Sequence, residues 1–174
     1  MTAAAETPSD RALFVVRTHA DARTVAAEAA AACANAWAVT EALVELLANA
    51  IEHGNLEFDF AAKARLLAQG EWQAEVARRQ SLPRYVDRVV VLERSRVADT
   101  WRFEIRDAGG GFDWRPWLLA DHARRHAPNG RGILIARQLG RLDLEYLAPG
   151  NRVRFAVPAQ NNDQEKSAPQ RNAG

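Results

Sequence analysis

Glu45-Leu46-Leu47-Ala48-Asn49-Ala50-Ile51-Glu52-His53-Gly54-Asn55 is the stretch on which the reading of this chain turns. Around it Trp37, Val39, Leu43, Leu46, Leu47, Ala50 and Ile51 recur at helical spacing. That predicts an amphipathic helix over 37–53, with Thr40 in its first turn and His53-Gly54 as its C-cap. Glu41, Glu45, Asn49 and His53 stand four apart and share one stripe of the helix. Such a stripe usually means a solvated face. Asn49 argues for more: its amide competes for backbone hydrogen bonds, which makes Asn a poor mid-helix residue, yet it sits between Ala48 and Ala50 in a strong helix. A carboxylate one turn before a neutral amide offers oxygen ligands for Mg²⁺ with a base beside them.

Two glycine-rich turns follow. Asp107 closes a strand and meets Gly109, Gly110 and Gly111, where a ligand can approach the backbone closely. An Asp there can accept a hydrogen bond from an amino group such as N6 of adenine; taken alone, the same residues also make a tight strand exit. Gly130-Arg131-Gly132 opens a helical stretch over 133–139. Free N–H groups and the positive helix end favour phosphate there, and Arg131 adds a charge-assisted contact; alone, the turn is equally a hinge. There is no Gly-Lys-Ser/Thr phosphate loop, and no Gly-x-Gly-x-x-Gly follows a strand. In this order, a polar helix face and two glycine turns fit a chain wrapped around a nucleotide, while a sandwich whose glycine turns are only structural is the plainer alternative.

The rest of the pattern frames these segments. Leu13-Phe14-Val15-Val16 reads as a first strand, and residues 22–34 are nearly all helix formers. Residues 58–82 read as one or two exposed helices before Pro83, either a cover for the core or a partner surface. Residues 88–97 and 101–106 form a hairpin across Ala98-Asp99-Thr100, and Trp101, Phe103 and Ile105 alternate with charged residues. Residues 112–129 are a long irregular connection of the kind that serves as a lid. Residues 142–146 and 152–157 flank the turn Ala148-Pro149-Gly150-Asn151 and close as a second hairpin. Helices first and hairpins later predict an α+β fold: a two-layer α/β sandwich with a mixed, mostly antiparallel sheet and helices on one face. Residues 1–11 are expected to be loose, 12–158 to form the domain and 159–174 to be a disordered tail.

Bulk properties narrow the class. The 174 residues suffice for one domain with a core, 48% hydrophobic and 26% charged residues are ordinary for a globular protein, and a net charge of +1 gives no strong pull towards nucleic acid or membrane. Cys33 is the single cysteine, so it has no disulfide partner within the chain and reads as a small apolar helix residue. No apolar run approaches a membrane span and residues 1–11 lack a secretory signal pattern, which predicts a cytoplasmic protein.

The three segments, in this order, resemble the N box, G1 box and G2 box of the GHKL (Bergerat-fold) ATP-binding family, over about residues 13–157. The 45–55 segment is most similar to the anti-sigma-factor serine/threonine kinases of that family. The resemblance implies ATP and Mg²⁺ as cofactors. It implies Glu45 as the catalytic carboxylate that activates the accepting hydroxyl, Asn49 as the metal ligand and His53 as a neighbouring cofactor contact. It implies Asp107 as the aspartate that holds the adenine amino group, Gly109 and Gly111 as G1 glycines, and Gly130, Arg131 and Gly132 as the G2 turn beside the phosphates. Residues 112–129 would be the ATP lid, with Arg124, Arg125 and His126 in reach of phosphate. The implied function is a kinase that phosphorylates a STAS-domain anti-sigma-factor antagonist and works by partner switching, with a sigma factor or another output protein as second partner and homodimers common among relatives. An ATP-binding regulatory module that sequesters a partner without kinase activity is the alternative. The chain departs from the pattern in its longer 57–86 connection, in Ile133, in the lack of Thr or Ser over 152–157, and in having no phosphoacceptor helix pair of the histidine-kinase kind.

Overall fold

The computed structural model describes residues 10–115, 136–137 and 142–160. The expected lid beyond residue 115 with Arg124, Arg125 and His126, the Gly130-Arg131-Gly132 turn, most of the 133–139 helix, residues 1–9 and the tail from 161 lie outside the described residues. Among the described residues five strands form one sheet: β1 (Arg11–Val16), β2 (Val90–Val97), β3 (Thr100–Arg106), β4 (Glu145–Leu147) and β5 (Arg152–Pro158). Their order is β1-β2-β3-β5-β4, and every described pairing is antiparallel, in keeping with the expected mostly antiparallel sheet. Four helices, α1 (His19–Ala30), α2 (Ala36–Asn49), α3 (Phe60–Gln69) and α4 (Trp72–Gln80), lie between β1 and β2. The α+β two-layer architecture is therefore as the alternation of apolar and charged residues required.

Register shows how the sheet makes two unlike faces. Phe14, Leu92, Ile105, Val153 and Tyr146 stand opposite one another across all five strands, and Phe103 and Phe155 pair in the next row with rings stacked at 4.9 Å. These side chains meet Leu43, Leu47 and Ile51 from the helical layer, all buried. Each contributes about 1.5–3 kcal/mol of transfer free energy. The other face carries Glu104 paired to Arg152 at 3.5 Å and to Arg154 at 2.5 Å, and Arg11 paired to Glu93 at 2.8 Å. That charged face needs no second helical layer.

The helices begin where capping chemistry places them. Thr18 and Asp21 form a reciprocal capping box at α1, Asn35 caps α2, and Asp59 caps α3 by accepting from the Ala62 N–H at 2.6 Å. Helix α1 stops at Ala30 rather than near residue 34, because the Ala32 carbonyl is taken by Trp101 Nε1 (3.0 Å) and the Gln160 N–H (2.9 Å). Cys33 then bridges to Ala159, so residues 159 and 160 belong to the fold and not to the tail. Arg94, reaching inward from β2, donates to the Glu28 and Ala29 carbonyls and lies over the Trp101 ring, a cation placed at the negative end of α1. The strand expected over 142–146 forms only at Glu145–Leu147; Leu142 and Leu144 before it are buried.

The expected C-cap at His53-Gly54 is the main local correction. The α-helix ends at Asn49 and widens into a π-turn, Ala50–Asn55. Two buried polar side chains account for it. Glu52, 4% exposed, accepts from His19 Nε2 at 2.8 Å and from Lys63 Nζ, and Asn55 accepts the Ala108 N–H at 2.8 Å. The extra residue in the turn lets both point inward, and π-turns of this kind recur at functional sites.

Candidate functional site

Where the π-turn approaches the end of β3, a cavity of about 280 Å³ opens between the helical layer and the sheet. The inner-face row supplies its floor with Ile105, Val153 and Tyr146, and α2 and the π-turn supply Leu46, Asn49, Ala50, His53 and Gly54. Asp107, Gly111 and Phe112 enter from the loop after β3, Gly150 and Asn151 from the turn before β5. Apolar walls with a few convergent polar groups are the usual makeup of a small-molecule site.

Asp107 is the charged group at the centre of this arrangement. Burial pushes its carboxyl up to about 6, against hydrogen bonds from the Gly109 and its own N–H and the nearby Arg88 cation. Oδ1 accepts from Gly109 at 2.8 Å. The loop is held from both sides by amides: Asn55 accepts from Ala108, while Asn151 Nδ2 donates to the Asp107 and Gly109 carbonyls at 3.2 and 3.4 Å. The close approach requires glycine at 54, where a Cβ would lie 2.3 Å from Asp107 Cγ. Gly111 combines φ of +83° with the Pro149 carbonyl, 2.2 Å from where a Cβ would stand. A half-buried carboxylate in an apolar cavity is suited to a ligand that brings an amino group.

His53 stands beside it in a fixed state. Nδ1 lies 2.6 Å from the Phe58 carbonyl, so Nδ1 carries the proton and donates. Burial lowers its basicity, leaving a neutral ring with Nε2 as an acceptor. The ring also packs against Phe60 at a tilt of 32°, centroids 4.3 Å apart.

Of the residues singled out from sequence, Asn49, His53, Asp107 and Gly111 line the cavity and Gly109 anchors the Asp107 carboxylate. Glu45 is half-buried one turn before Asn49 on α2 and is not part of the lining. Arg124, Arg125, Gly130, Arg131 and Gly132 lie outside the described residues. Among the described residues no group of three His, Cys, Asp or Glu side chains could hold a metal ion, so Asn49 offers a single hard oxygen, the kind of partial shell that suits Mg²⁺ only when the ligand brings further oxygens.

Sequence reasoning missed Asn55, Asn151, Phe58, Phe60 and Tyr146. Asn55 carried a signal, since an Asn directly after His-Gly at a helix end that turns out to be buried must spend its amide on a partner. The 57–86 segment is also more than a cover. Phe58, Asp59 and Phe60 are cavity wall, and Phe58, Trp72 and Val76 join the main core. No helix among the described residues is long and apolar enough to cross a membrane. No protein-family model matches the chain, and no curated protein matches it.

Proposed function

We propose that this protein is a Mg·ATP-binding serine/threonine protein kinase of the anti-sigma-factor type, acting on a STAS-domain antagonist. The observation that carries the proposal is the half-buried Asp107 carboxylate at the base of an apolar cavity, with Asn49 on the facing helix and Glu45 one turn beyond it.

In this reading Asp107 accepts the adenine amino group, and Ile105, Val153 and Ala50 supply apolar wall beside the ring. The triphosphate runs along α2 from Asn49 towards Glu45, a rise of about 6 Å for one turn. Mg²⁺, held through Asn49 and the phosphates, would neutralise the charge of the triphosphate when bound. Glu45 orients a Ser or Thr hydroxyl of the protein substrate and takes its proton as the oxygen attacks the γ-phosphorus; the bond to the β–γ bridging oxygen breaks and ADP leaves. Phosphorylation of the antagonist releases it, and the freed protein captures a sigma factor or another output protein. Cytoplasmic action follows from the same reading.

The test is transfer of label from γ-³²P-ATP to purified STAS-domain proteins of the same organism. The expected result is one labelled Ser or Thr, lost in Glu45→Ala while ATP affinity stays within about twofold, since a base is needed for transfer and not for binding. ATP binding with no labelled protein would remove the kinase reading and leave an ATP-binding regulatory module that sequesters its partner.

A further inference from the structure

The α3–α4 hairpin is held by more than the burial of Trp72 and Val76. Helix α3 has no fully buried residue, yet it is tied down on the side of the cavity. Lys63 pairs with the buried Glu52, Arg79 Nη1 donates to the Leu56 (2.7 Å) and Glu57 (3.2 Å) carbonyls, and Phe58 packs on Trp72 at 4.7 Å. All of these contacts fix the stretch that turns from the π-turn into α3, and that stretch places Phe60 in the cavity wall. The ring is backed by His53 at 4.3 Å, 32° from parallel, and His53 is itself locked by its bond to the Phe58 carbonyl. His53 cannot swing aside without breaking that bond, so the Phe60 ring has a fixed backing before any ligand arrives.

We propose that the hairpin is part of the ligand site, and that Phe60, backed by His53, is a stacking surface for a flat, amino-bearing heteroaromatic base whose amino group meets Asp107. The inference rests on the nucleotide reading above and names the source of affinity for the base. A planar ring presents a π-face whatever its polar edge, so stacking adds affinity while Asp107 selects the edge.

The test is calorimetric titration of the full chain with ATP and with AMP, in wild type and in Phe60→Ala, Phe60→Leu and Phe60→Tyr, with thermal melts to confirm folding. Leu keeps apolar bulk without the ring. The expected result is Kd weakened about tenfold in Phe60→Ala and Phe60→Leu, by the same factor for both nucleotides because the contact is to the base, with Phe60→Tyr within about twofold. Leu67→Ala, on the exposed side of α3, should leave both Kd values unchanged. A folded Phe60→Leu that binds ATP as wild type does would overturn the inference alone, as would a loss seen for ATP but not for AMP. Absence of binding by the wild type would instead bring down the nucleotide reading, and this inference with it.

Discussion

Asp107→Asn should make the free protein more stable. The carboxyl is raised by burial from 3.8 to about 6, so above pH 6 the fold holds an ionised group in a site that favours the neutral one. At ~1.4 kcal/mol per pH unit the displacement amounts to about 3 kcal/mol, and partial solvation through the open cavity reduces what can be measured to about 1–2 kcal/mol. Asn keeps the oxygen that accepts from Gly109 and removes the charge. The sign follows from linkage. A carboxyl whose pKa is raised in the fold binds protons better folded than unfolded, so its favourable contribution is complete below pH 4, declines between 4 and 6 and is gone above 6. The variant should therefore match wild type near pH 4 and exceed it at pH 7.5, with Tm higher by about 3–6 °C for a chain of this size. The assay is a pair of melts or urea titrations at pH 4.5 and 7.5; carboxylates common to both chains cancel in the comparison. A variant that is less stable than wild type by the same margin at both values would refute the argument and show that Asp107 serves the fold rather than a ligand.

Glu52→Gln should act in the opposite sense. Burial alone would raise the Glu52 carboxyl, but hydrogen bonds from His19 and Lys63 outweigh it and hold it below the usual range. Its contribution is thus present above about pH 4.5 and lost as pH falls through the folded value; the variant should lose about 2 kcal/mol in urea at pH 7, with the gap closing under acid. Gly54→Ala inside a helical turn would ordinarily stabilise by ~0.5–1 kcal/mol. Here the added methyl meets Asp107, so the melt should fall by about 1–3 kcal/mol equivalent and ligand affinity should drop at least tenfold, measured on the same preparation.

What the sequence made legible was whatever repeats locally. The alternation of Trp101, Phe103 and Ile105 with charged residues defines a strand with one wet face, and β3 has it. The Leu43–Leu47 spacing defines the buried side of α2. The polar stripe and the Asp107 turn are separated by more than fifty residues, yet their residue types conflict with their local context, and that conflict located the cavity. Long-range pairings left no such mark. The π-turn exists because Glu52 and Asn55 find partners at His19, Lys63 and Ala108, and periodicity over 37–53 alone predicts a capped α-helix. Likewise, Phe58 and Phe60 look like the apolar face of a surface helix until the fold sets them across from Tyr146 and Asn151. Residue 159, in a polar neighbourhood, donates its N–H to the Asp99 carbonyl and sits opposite Cys33 through the flanking bonds of Ala34 to Pro158 and Gln160 to Ala32, which composition does not reveal.

The central claim, a nucleotide pocket built on Asp107, is tested most directly by titration calorimetry of the purified chain with Mg·ATP, beside Asp107→Asn. The account predicts saturable binding by wild type that is lost in the variant even though the variant melts higher. No heat of binding from the wild type at millimolar ATP, or equal binding by both, would contradict it.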